Sequence, residues 1–96
     1  MVKRTGITNK EEIFRTLREE GFTGLYLWHD PPGTYYDWHT HPLDEVRWII
    51  EGEITIGTEE RVVTLKAGDR MEVPAGTRHW ARVGESGVTY VCGSKG

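Results

Sequence analysis

Four side chains in two distant stretches have the types and the spacing to hold a metal ion: His39, His41, Glu45 and His79. His39 and His41 are two positions apart, so an extended strand sends both imidazoles from the same face. Pro42 ends that strand and sets a short turn, and Glu45 opens the next strand within reach of the same point. His79 is remote in sequence but follows a Pro74-Ala75-Gly76 turn that would aim it back toward the others. Imidazole and carboxylate donors suit Zn, Fe, Mn, Ni or Cu, and spacing does not choose among them. Four protein ligands leave one or two positions open on a five- or six-coordinate ion, which is what metal-assisted catalysis requires. The remaining histidine, His29, lies outside both stretches.

The elements that must carry these residues are read from periodicity. Ile13, Phe14 and Leu17 share one helical face, with Lys10, Glu12, Arg15, Arg18 and Glu19 left wet. Thr8 followed by Glu11 fits a capping box, and Gly21 fits the position just past a helix end. From Phe22 onward the period is two, and turn residues recur every eight to twelve positions. The reading gives strands at Leu25–His29, Thr34–His41, Glu45–Glu51, Glu53–Gly57, Arg61–Lys66, Met71–Val73, Arg78–Val83 and Val88–Cys92, with Gly84–Gly87 as a connection. About eight short strands in one small domain require a closed barrel or a two-sheet jelly roll, which limits exposed edges. The expected organisation is an N-terminal segment with a short helix over residues 1–21 and one barrel over residues 22–96.

Composition excludes several classes. A net charge of −3 without a basic block gives no footprint for nucleic acid. The longest purely apolar run is Trp48-Ile49-Ile50, far short of a membrane span, and no secretory signal follows the basic N-terminus. Cys92 is the only cysteine, which precludes an intrachain disulfide and fits a reducing compartment. A cytoplasmic protein is expected.

The two stretches resemble the signature motifs of the cupin superfamily. The first, G-x5-H-x-H-x3-E-x6-G, is matched by Gly33, His39, His41, Glu45 and Gly52. The second, G-x5-P-x-G-x2-H-x3-N, is matched by Gly68, Pro74, Gly76 and His79, with Val83 in place of the final Asn. That Asn is not a metal ligand in the family. The resemblance spans roughly Leu25 to Cys92. It implies an all-β, cupin-type double-stranded β-helix (a jelly-roll barrel) with a short N-terminal helix, and His39, His41, Glu45 and His79 as ligands of a divalent transition metal.

Strand parity extends the reading. With Glu45 inward, Arg47, Ile49 and Glu51 share its face, while Val46, Trp48 and Ile50 point outward. An arginine turned into a barrel is costly unless it meets an anion, and its planar fork suits a carboxylate or phosphate. Arg47 is therefore a candidate for binding an anionic substrate, or else one half of a structural ion pair. By the same counting Tyr35 and Asp37 accompany His39, making Tyr35 a candidate cavity residue, and Ala81 and Val83 accompany His79. The outward Val46–Trp48–Ile50 stripe needs a cover, either the helix bearing Phe14 and Leu17 or a second copy. Cupins often pair in this way, so a homodimer is expected.

Two functions fit best. The first is a metal-dependent enzyme acting on a small, possibly anionic, organic molecule, with oxygenase or isomerase (or lyase-like) chemistry. The alternative is a non-catalytic binder or sensor of a metal or small ligand; a barrel merely stapled by its ion comes third. Motif and fold do not separate these reactions.

Overall fold

The computed structural model describes residues 1–96. Eight elements run in chain order: β1 (Val2–Arg4), α1 (Lys10–Glu19), β2 (Thr23–Asp30), β3 (Tyr35–His39), β4 (Asp44–Thr58), β5 (Val62–Lys66), β6 (Asp69–Val73) and β7 (His79–Lys95). All strand pairing is antiparallel, in the order β1-β6-β4-β7-β2, with β5 added to β4 and β3 added to β7. The fold is thus the expected all-β cupin-type jelly roll with one short helix.

Two long strands make the frame. β4 and β7 pair along nearly their whole lengths, from Asp44↔Lys95 to Thr58↔His79. The first half of β4 also pairs with β6 and its second half with β5. β7 likewise pairs with β3 through its first half and with β2 through its second. Each long strand therefore serves two facing layers. Gly52, read as a break, is instead the bend: β4 continues through it at φ 78°, and a Cβ there would sit 2.0 Å from the Gly87 carbonyl oxygen. Only glycine permits that approach. Gly84–Gly87, expected as a loop, is likewise strand.

The core follows the alternation. Ile49, Ile54, Ile56, Leu65, Val83 and Val88 fill the interior at 0–2% exposure. On the other face, Val46, Trp48 and Val91 pack against Ile13 and Leu17 of α1 and against Phe22. The outward stripe of β4 is therefore covered by this chain's own helix and needs no second copy. Trp48 is 2% exposed, and its indole N–H donates to the Ile7 carbonyl at 2.9 Å.

Helix α1 begins one residue later than the capping box implies. Asn9 is the N-cap, its side chain accepting from the Glu12 N–H at 2.9 Å, and Asn and Thr serve that role by the same chemistry. The helix ends at Gly21 (φ 98°), where the Phe22 N–H reaches the Leu17 carbonyl. Its C-terminal end is tied to the sheet by an ion pair between buried Arg70 and the more exposed Glu20. Arg70 donates twice to Glu20, both at 2.9 Å, and lies over the Trp48 ring at 4.9 Å. The Arg70 hydrogen bonds hold the Glu20 carboxyl below its ordinary 4.5. Ahead of the helix, β1 hydrogen-bonds to β6, so the N-terminal segment supplies a strand as well as the helix. No helix is long and apolar enough to cross a membrane.

Candidate metal centre

Sheet register brings the distant histidine home. His39 on β3 is the direct cross-strand partner of His79 on β7. The Pro74–Gly76 turn is clasped to the His41 loop, with the Gly76 N–H donating to the His41 carbonyl at 2.9 Å and the Ala75 N–H to the Asp44 carboxylate at 2.7 Å. The three rings pack with centroids 4.3, 4.8 and 5.2 Å apart, and one nitrogen from each lies within 4.8 Å of the other two. Donors on opposite sides of one ion stand about 4.2 Å apart, given metal–nitrogen bonds of about 2.1 Å, so small ring movements would close the set.

Hydrogen bonding fixes which nitrogen is offered. His39 Nδ1 lies 2.6 Å from the Asp37 carbonyl oxygen and His79 Nδ1 lies 2.8 Å from that of Thr77. A carbonyl only accepts, so each Nδ1 must carry the proton and each Nε2 keeps its lone pair. His41 Nε2 and His79 Nε2 are buried and have no hydrogen-bond partner. Buried polar atoms are seldom left so, and a metal ion would satisfy both. Burial pushes the His41 and His79 rings below their ordinary 6.5, with the Arg47 charge adding to the effect. Both are therefore neutral at pH 7, the form that ligates. The donor set fits a divalent transition metal.

Glu45 stands next to this cluster rather than within its tightest part. Its carboxylate lies 3.4 Å from His41 Nδ1 on one side and 3.4 Å from Arg47 Nη2 on the other. The Arg47 side chain is 11% exposed and its Nη1 has no partner. Both line a cavity of about 230 Å³ that also exposes His39 and His41. Parity along β4 holds from Glu45 to Ile49, then fails at exposed Glu51, because the register shifts between those two residues.

Tyr35 is placed differently from the sequence expectation. It is 48% exposed, its hydroxyl turned to Asp37 and its ring against Trp80 and Arg82, and it does not line the cavity. A register shift between Tyr36 and His39 reverses the alternation, so Tyr36 is the inward residue. Tyr26, Trp28, Tyr90 and Cys92 complete the aromatic side of the wall, with Asp30 behind it. Sequence reasoning missed these, although Tyr26, Trp28 and Asp30 alternate on one strand face and could have been read as a set.

Comparison with known proteins finds relatives by sequence and by fold. An acireductone dioxygenase from Parasynechococcus marenigrum is 46% identical over 90 residues, covering 80% of this chain and 48% of that protein. Acireductone dioxygenase 1 from Pectobacterium atrosepticum is 43% identical over 87 residues, covering 77% and 50%. This chain thus spans about half the length of these curated relatives. Among solved structures, the DMSP lyase DddQ from Ruegeria pomeroyi superposes with a TM-score of 0.69 at 29% identity, covering 75% of this chain and 37% of that one. The family model for the cupin domain matches residues 26–92, and the chain belongs to that family.

Proposed function

We propose that this chain is a metal-dependent cupin enzyme of the dioxygenase type, acting on a small anionic organic molecule. The observation that carries the reading is the convergence of His39, His41 and His79, two of whose Nε2 atoms are buried and unpaired. These three residues would hold a divalent transition metal, with Glu45 as the adjacent carboxylate. When bound, such an ion supplies Lewis acidity and positions for reactants beyond its protein ligands. Dioxygenase chemistry is favoured over isomerase or lyase chemistry by the two relatives at 43–46% identity that carry that name.

The chain's own residues have separable tasks. The Asp37 and Thr77 carbonyls lock two imidazoles in the ligating tautomer. Arg47 offers its unpaired Nη1 to a carboxylate or enolate oxygen, while Nη2 stays on Glu45. Ile54, Ala81 and Tyr90 form a low-dielectric floor that strengthens this contact. A cytoplasmic location belongs to the same proposal and rests on the single cysteine. The proposed homodimer, with its β4 stripe already covered, would use edge strand β2, where Leu27, on the face away from the cavity, is 44% exposed.

The test is oxygen uptake by the Fe(II)- or Ni(II)-loaded chain presented with small enediol and carboxylate compounds. Uptake that needs the metal and is abolished in His79→Ala is the expected result. Tight binding of these compounds with no turnover would instead favour a non-catalytic sensor.

A further inference from the structure

Asp30 is a buried anion with no counter-ion. It is 4% exposed, at the end of β2, and no lysine, arginine or histidine pairs with it. Its oxygens are met only by neutral donors: Trp28 Nε1 at 2.9 Å, the Tyr36 hydroxyl at 2.9 and 3.0 Å, and the Tyr90 hydroxyl at 3.5 Å. Those hydrogen bonds solvate the carboxylate but leave its charge uncompensated, whereas buried charges are ordinarily paired. Glu45, the carboxylate that does line the cavity, already has Arg47 and the His41 imidazole beside it.

The three donors are themselves cavity-lining residues, from β2, β3 and β7. Tyr26 joins them, its ring perpendicular to that of Trp28 (87°) with centroids 6.1 Å apart. Two aromatic walls at a right angle, backed by a buried negative charge, form a concave site whose field and polarizable faces favour an organic cation. A metal ion is a poorer fit, because the Asp30 oxygens are occupied by N–H and O–H donors.

The cation subsite lies across the cavity from Arg47. Tyr26 pairs with Cys92 and Cys92 with Arg47, so Tyr26 and Arg47 occupy one row of three adjacent strands. The outer strands of such a row are about 10 Å apart, a span that the inward-reaching Arg47 shortens. The geometry points to a zwitterionic ligand, with its carboxylate on Arg47 and a quaternary ammonium or similar onium group among Tyr26, Trp28 and Tyr36 above Asp30. This rests on the anion-binding role given to Arg47 and names the other end of the same molecule.

Calorimetric titration of the Zn(II)-loaded chain with two isosteric acids tests it: 4-(trimethylammonio)butanoate, which carries the positive charge, and 5,5-dimethylhexanoate, which has the same shape without it. The cationic acid should bind about tenfold tighter. Asp30→Asn should reduce that preference to near unity while leaving the alkyl acid's affinity unchanged, and Trp28→Leu, which keeps an apolar side chain at this half-exposed position but removes the ring, should reduce it in part. Arg47→Leu should weaken both acids alike. Equal affinities in the wild-type chain, or a preference unchanged by both Asp30→Asn and Trp28→Leu, would overturn the cation subsite while the anion site stands. Failure of both acids to bind, or binding indifferent to Arg47→Leu, would overturn the anion site and this inference with it.

Discussion

Replacing Trp48 with Ala should bring the protein close to unfolding, because this is the largest of the side chains that pack α1 against the sheet that carries the site. Trp48 is 2% exposed, packs among Ile13, Leu17 and Phe22, lies under the Arg70 guanidinium, and donates to the Ile7 carbonyl. Truncating a buried Trp to Ala costs about 3–5 kcal/mol through lost burial and the cavity left behind. Losing the partner of the Ile7 carbonyl adds about 1 kcal/mol. A domain of this length has roughly 5–14 kcal/mol of total stability, so the variant would lose a large part of it. Trp48→Phe keeps most of the apolar contact and gives up only the N–H and some ring area, for a cost of about 1–2 kcal/mol. Urea unfolding should be followed on chelator-stripped protein, so that metal affinity does not contribute. A Trp48→Ala loss under about 1.5 kcal/mol, or equal losses in the two variants, would refute the claim that the helix is anchored this way.

Three further outcomes follow from the site. Because burial holds His41 and His79 below 6.5, the folded metal-free chain binds fewer protons than the unfolded chain just below that pH. Their contribution is complete above about pH 6.5 and is lost as pH falls; the urea midpoint should drop between about pH 7.5 and pH 5, and a rise would contradict it. Arg47→Leu should weaken carboxylate ligands by about tenfold or more while bound metal stays the same; equal affinity for acid and amide analogues in the wild-type chain would sink Arg47's role. Cys92 is buried, and burial pushes its thiol above the ordinary 9.0. Iodoacetamide should therefore modify it at least about tenfold more slowly in the folded chain than in denaturant, and equal rates would show an open cavity wall.

Much of the site was readable because its logic is local. The expected strand Thr34–His41 is shorter in the structure, with β3 ending at His39 and His41 in the loop just past it, yet the two-residue spacing still brings both imidazoles to the site, and the turn before His79 is written in Pro74 and Gly76. The inward direction of Glu45 and Arg47, and the outward one of Val46 and Trp48, follow from period two along a regular stretch of β4. The same counting fails at Tyr35 and Glu51, where register shifts insert or remove a step that depends on partner strands. Asp30 was opaque for a related reason. Beside Pro31 and Pro32 it reads as a turn residue, and only the packing of β3 and β7 against β2 brings two tyrosine hydroxyls to it. The bends at Gly52 and Gly87 are tertiary facts as well, since a Cβ at Gly52 would meet the Gly87 carbonyl and one at Gly87 the Asp30 carbonyl. The helix cap shifted by one residue because Thr8 and Asn9 are both competent, and the local backbone decides between them.

The most direct test of the central claim is an anomalous difference map from a crystal of the Ni(II)-loaded chain. The account predicts one strong peak about 2.0–2.2 Å from Nε2 of His39, His41 and His79. A peak bonded to the Nδ1 atoms, a peak elsewhere on the surface, or no peak despite metal in solution would contradict it.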